Sequence, residues 1–188
     1  MAPWLLTRWE GGAYPREVRS GVNRVILLPL LWLVALGCHR GVRFEEQVFS
    51  KSGVRYRVGA LPPGWSRVKL SENDLAWYTE DTGHALSVNS TCREHDDASL
   101  EVLTRHLLDG FTERQALTQR TEVVDEREAL RSHYQAKLDG VPVELLLLVL
   151  KKDRCVYDFT YVAPLGRFQD RLGDLETLVG GFHAESPS

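Results

Sequence analysis

The 188-residue sequence contains no uncharged apolar run of the roughly 20 residues that a membrane-crossing helix needs. It has no Gly-rich phosphate loop, no paired-histidine helix and no nucleophile elbow, which removes the common nucleotide-binding, zincin and hydrolase signatures. Cysteines number three and none sits in a Cys-x-x-Cys pair, so a structural zinc site is disfavoured. No block of like charge exceeds two or three residues and the formal net charge is −3, which argues against a general nucleic-acid surface. Repeats and low-complexity tracts are missing too. What remains, 43% hydrophobic and 26% charged, is the composition of one folded domain preceded by something different.

The different part is VILLPLLWLVALG, residues 25–37, which carries no charge and stops at Cys38. Its length suits the h-region of a secretory signal, and Arg16, Arg19 and Arg24 supply the positive flank. Gly37 puts a small residue beside a thiol. On Ala35-Leu36-Gly37-Cys38 the segment resembles a bacterial lipoprotein signal peptide, with Ala35 and Leu36 in the reverse of the usual order. The resemblance implies cleavage before Cys38 and attachment of diacylglycerol to its sulfur. A chain with two or more acyl groups is stably anchored, because each buried methylene contributes about 0.8 kcal/mol. Two alternatives stay open, an ordinary cleaved signal and a buried N-terminal element. The first 21 residues are long for an n-region and include Glu10 and Glu17, so the start is expected at Val22.

With Cys38 acylated, Cys92 and Cys155 remain as an even pair, a disulfide candidate in an oxidising compartment. The alternatives are two buried thiols, or a catalytic thiol at Cys92 with His95. The domains are then expected as a signal peptide over 1–37, a lipidated N-terminus and polar linker over 38–52, one α+β domain over 53–183 and a tail over 184–188. Removing 1–37 takes away four arginines and two glutamates and leaves a mildly acidic remainder, unsuited to lying on anionic lipid.

Within the domain, GVRYRVGA alternates as a half-buried strand until Pro62, Pro63 and Gly64 break it. Asp74–Tyr78 and His84–Cys92 flank the turn EDTG and read as a hairpin. Leu100, Leu103, Leu107 and Phe111 then fall at helical spacing, with Asp96, Asp97 and Ser99 able to cap the start and Gly110 marking the end. Strands follow at 119–125, 129–138, 141–150 and 155–163. The third is apolar on both faces apart from Glu144, as a central strand should be. Phe168, Leu172, Leu175, Val179 and Phe182 form the stripe of a last helix ended by Gly180 and Gly181. The expectation is an antiparallel sheet of about seven strands with two packed helices, in the order βββαββββα.

That order, the ALSVNSTC strand leading into a helix, and a final helix ending in VGGF resemble the Mog1/PsbP-like fold over about residues 48–183. Its members serve as binding or assembly modules and not generally as enzymes. The resemblance transfers no functional residue.

Few candidate sites stand out. Glu94, His95, Asp96 and Asp97 can hold a metal if His84, Glu101 or His106 comes close, or they can be a solvated helix start. Arg131, His133, Gln135 and Lys137 share one strand face, either solvated or a partner-binding face. Asp158 within VYDFTYV is either a buried partner of an arginine or a residue at an open sheet edge. Tyr56, Trp65, Trp77, Tyr78, Tyr157 and Tyr161 either pack in core and turns or line a groove between helix and sheet. The sequence thus implies an outer-membrane lipoprotein facing the periplasm, without catalytic residues or cofactor. Its domain binds an envelope protein or, alternatively, a small ligand or lipid as an accessory to transport.

Overall fold

The computed structural model describes residues 41–92 and 97–185, all within one compact unit of the chain, His39–Ser188. Cys38 and its preceding apolar run lie outside the described residues, as do Glu94, His95 and Asp96. Two antiparallel sheets form the domain. The smaller contains β1 (Arg43–Glu45), β2 (Val48–Lys51), β3 (Val54–Arg57) and β11 (His183–Glu185), in that order. The larger contains β4 (Ser66–Val68), β5 (Leu75–Tyr78), β6 (Ala85–Cys92), β7 (Phe111–Val124), β8 (Arg127–Leu138), β9 (Val141–Lys152) and β10 (Cys155–Pro164), in the spatial order β4-β5-β6-β10-β9-β8-β7. Helix α1 is Leu100–His106 and α2 is Leu172–Gly180, the latter preceded by a 3-10 turn at Phe168–Asp170. Among the described residues no helix is long and apolar enough to cross a membrane.

Strand β9 is the hub because it is apolar on both faces: Leu145, Leu146, Leu147, Leu148, Val149 and Leu150 are all buried. Leu146, Leu148 and Leu150 face the main core, which joins them to Phe49 and Tyr56 of the small sheet and to Leu175 and Leu178 of α2. Leu145 and Leu147 face the opposite way, into a smaller cluster with Leu107 and Leu108 at the end of α1. The large sheet therefore has an inner face closed by the small sheet and α2, and an outer face on which α1 rests.

Several expected boundaries shift. The linker is folded from Arg43 onward, since β1 and β2 pair and Phe49 is fully buried. The segment 53–60 joins the small sheet through β3, and β4 takes its expected place in the large one. The first two tail residues pair with β3 as part of β11. Helix α1 is shorter than its apolar spacing suggested. Ser99 caps it, its hydroxyl accepting from Val102 N, but the chain leaves the helix at Leu107 and turns through Gly110 at φ 89°. Phe111 then starts β7, a strand of 14 residues where seven were expected. The early half of β7 shows no apolar alternation because Thr112–Thr121 is exposed throughout. Gly181 explains the VGGF ending: a Cβ there would lie 2.4 Å from the Cα of Gly59, whereas one at Gly180 would meet nothing.

Candidate functional site

Cys92 and Cys155 stand directly opposite each other on β6 and β10 and form a disulfide. The bridge takes up the Cys92 sulfur, so the catalytic-thiol alternative falls. Closing a 63-residue separation contributes about 4 kcal/mol in the chain-entropy model.

The strand face carrying Arg131, His133, Gln135 and Lys137 is half internal rather than solvated. It points to the inner side, beneath the second helix and its leading turn. The Arg131 guanidinium is buried, donating from Nε to Glu122 at 2.8 Å and from both terminal nitrogens to Glu176 of α2 at 2.9 and 3.0 Å. Burial disfavours its charge, but the hydrogen bonds and attraction of the two carboxylates outweigh this and raise its pKa. The His133 ring stacks on Phe168 at 4.0 Å between centroids, with Nε2 3.3 Å from the Glu144 carboxylate but not in hydrogen-bond geometry. Lys137 meets Glu113 of β7 at 2.7 Å, and Gln135 is half-buried opposite Gln115 and Glu144. Arg131 and His133 thus clamp α2 and its leading turn to the sheet.

The histidines and Glu101 named as metal candidates do not converge. His84 is fully buried, its Nε2 3.0 Å from the Arg167 carbonyl, an arrangement in which that nitrogen donates. His106 lies on α1 and lines a hollow on the outer face. Glu101 sits in the first turn of α1, its carboxyl held below the usual range chiefly by the Ser99 side chain. Among the described residues no group of three metal-type side chains is assembled.

A polar cluster that the sequence did not reveal ties the two sheets together. Lys51 of β2 donates to Asp74 at 2.5 Å and to the Ser90 carbonyl at 2.7 Å; Tyr56 Oη donates to the same carboxylate at 3.2 Å, as does the Ser90 hydroxyl. Asn89 links this cluster to Asp158: its Oδ1 accepts the Asp74 amide at 3.0 Å and its side chain bonds the Asp158 carboxyl. Asp158 is therefore buried beside an asparagine, not an arginine, on the outer face of β10. Its burial, reinforced by the Asp74 charge and partly offset by Asn89 and Lys51, pushes its pKa up to about 7.

The outer face is open where α1 ends. Over β8 and β9 the helix covers the sheet. A hollow of about 200 Å³ lies where Leu103 and His106 of α1, and Leu107 just after it, overhang Thr91, Val156 and Asp158. Farther along β10, toward the β4 edge, the sheet surface forms an apolar trough of about 330 Å³. Val68, Leu70 and Tyr78 flank it, 37%, 54% and 41% exposed, and Ser87, Thr160 and Val162 lie along its floor. Of the aromatics singled out, Tyr56, Tyr157 and Tyr161 are fully buried, Trp77 lies in the same core, and Trp65 packs against it while donating to Asp174 at 2.9 Å. Tyr78 lines the trough. The available sequence signal for the trough was the Val68-Lys69-Leu70 alternation, which the proline-glycine break before it obscured.

No protein-family model and no curated protein sequence matches the chain. Solved structures do. The cyanobacterial PsbP protein CyanoP of Synechocystis superposes with a TM-score of 0.54 at 14% identity, over 84% of this chain and 99% of its own. LpqN, described as involved in cell envelope biogenesis of Mycobacterium tuberculosis, superposes at 0.51 with 7% identity, over 69% of this chain and 83% of its own. At such identities the similarity is one of fold, and the fold is the α+β, Mog1/PsbP-like one.

Proposed function

We propose that this chain is a lipid-anchored bacterial envelope protein, acylated at Cys38 and facing the periplasm from the outer membrane, whose domain is a non-enzymatic binding module for a partner protein. The apolar trough carries this reading. Val68, Leu70 and Tyr78 leave contiguous apolar surface in water, on the face of the sheet opposite the small sheet and α2, and such surface marks an interaction site. The disulfide agrees with export to an oxidising compartment. That LpqN, a protein of cell envelope biogenesis, shares the fold is in keeping with the setting. A second reading, a small amphiphilic ligand or lipid in the trough, is favoured by the apolar lining, where Ala76, Ala85 and Val162 join Val68, Leu70 and Tyr78.

The test is photo-crosslinking of the full-length protein in native envelopes, with the reactive residue at Leu70 or Tyr78 and a control at Arg55, which faces outward on β3. One defined protein adduct at the two trough positions and none at Arg55 supports the reading. Lipid adducts alone transfer it to the second reading. Equal labelling at all three positions overturns both. Mass spectrometry of the mature N-terminus reports separately on acyl mass at Cys38.

A further inference from the structure

The outermost strand β7 ends the seven-stranded sheet, and among the described residues no strand pairs with its free edge. Such an edge presents a row of unpaired amides and carbonyls that another strand can complete, and proteins usually blunt it. Strand β7 is blunted along one half. Its register against β8 slips between Thr112 and Gln115 and again between Ala116 and Thr118, and Glu113 takes a left-handed φ of 49°. These bulges twist that half away from straight pairing. From Thr118 to Val124 the pairing with β8 is unbroken. The opposite edge of the sheet, β4, is a mere three residues long.

The straight half carries opposite charges two residues apart, Arg120 and Glu122, on either side of Thr121. Both point to the same face, where Arg120 is 68% exposed. A row of like charge would repel a second copy, and this arrangement is self-complementary instead. We infer that the Thr118–Val124 edge of β7 is an interface for a second copy of this chain, the two edges pairing antiparallel about a two-fold axis at Thr121. In that register each Arg120 lies opposite the partner copy's Glu122, Gln119 opposite Val123, and Thr121 opposite itself. Shifting the axis to Arg120 or to Glu122 would set like charges against each other, which is destabilising.

Two observations support the register. Glu122 meets Arg131 at 2.8 Å and Arg120 at 3.6 Å, both through Oε2, which leaves Oε1 to receive an arginine from across the axis. Val123 is 79% exposed, the most exposed large apolar side chain among the described residues, and it lies on this straight half. Pairing would bring it against Gln119 of the second copy. The contact is one strand edge, small beside the roughly 1,000 Å² that a stable interface clears, so association is expected to be transient. A trapping experiment suits it better than a mass measurement.

The test places a cysteine at the axis, Thr121→Cys, in the full-length protein in membranes, under mild oxidation. The readout is a non-reducing gel, with Arg114→Cys in the bulged half as control. A disulfide-linked homodimer from Thr121→Cys and little from Arg114→Cys is expected. Adding Arg120→Glu to the axis variant sets an acid against Glu122 twice across the interface, and it should lower the trapped fraction roughly tenfold. Arg120 is largely exposed, so this substitution leaves the fold intact, and persistence of the Cys92–Cys155 bridge checks that. Equal trapping by the axis and control variants, no response to Arg120→Glu, or an adduct with a different protein would each overturn the inference.

Discussion

The two faces of the seven-stranded sheet are built from neighbouring residues of the same strands, yet they end up chemically unlike. The inner face of β10 presents Tyr157, Phe159 and Tyr161, all at or below 2% exposure, packed edge-to-face against Phe182 and Phe168. Its charges are matched, as in Arg131 with Glu122 and Glu176. The outer face of the same strand presents Val156, Asp158, Thr160 and Val162, half roofed by a helix of seven residues. One face was closed for stability by two layers, α2 and the small sheet. The other keeps a trough and an acid held near its titration point, and such features cost stability unless a partner or ligand uses them.

Truncation should expose this difference most strongly. Phe159→Ala, on the closed face, is expected to cost about 3–5 kcal/mol in urea unfolding. Tyr78→Ala, at the rim of the trough, should cost less than about 1 kcal/mol, since its side chain is already partly in water. Comparable losses at the two positions would mean that the outer face is covered after all.

A smaller effect comes from Asp158, and its sign is set by its raised pKa. In the unfolded chain the carboxyl titrates near 3.9, against about 7 in the native domain. Between those values the native state holds a proton that the unfolded state has released, so stability falls as pH rises from about 4 to about 7 and is flat above. Asp158→Asn escapes this penalty. It should stabilise the domain by roughly 2–4 kcal/mol at about pH 8, with the advantage vanishing near pH 4. A variant no more stable than the parent at the higher pH would show that the carboxyl is not desolvated.

The smallest effect concerns the joint that closes the inner face. Gly59 donates its amide to the Leu178 carbonyl at 2.9 Å, and Gly181 abuts it backbone to backbone. Gly181→Ala should lower the thermal midpoint by the equivalent of about 1–3 kcal/mol, as overpacking does. Gly180→Ala, with open space around it, should be neutral or slightly stabilising. Equal effects at the two glycines would place the close approach elsewhere.

Much of the closed face was legible in the sequence. VPVELLLLVL reads as a two-sided central strand because both its faces are buried, and CVYDFTYVA alternates because one face is aromatic core. The stripe from Phe168 to Phe182 marked α2, and the even pair of cysteines flagged a candidate disulfide. The short strands β1, β2, β4 and β11 left little trace, because three or four residues with no alternating neighbours beyond them scarcely display a period. The first half of β7 was invisible for another reason: exposed on both faces, it has no apolar alternation to show. The Arg131 face misled because an alternating charged residue looks the same whether its charge meets water or a carboxylate on a distant helix.

By itself the sequence determined the central strands, the two helices and the class of fold, since each follows from local apolar period and turn chemistry. Tertiary structure alone decided which polar residues were used internally, where α1 stops short, and hence where the sheet stays open. Those outcomes depend on contacts between segments far apart in the chain, such as Arg131 with Glu176 and Asp74 with Lys51, and no local pattern encodes them.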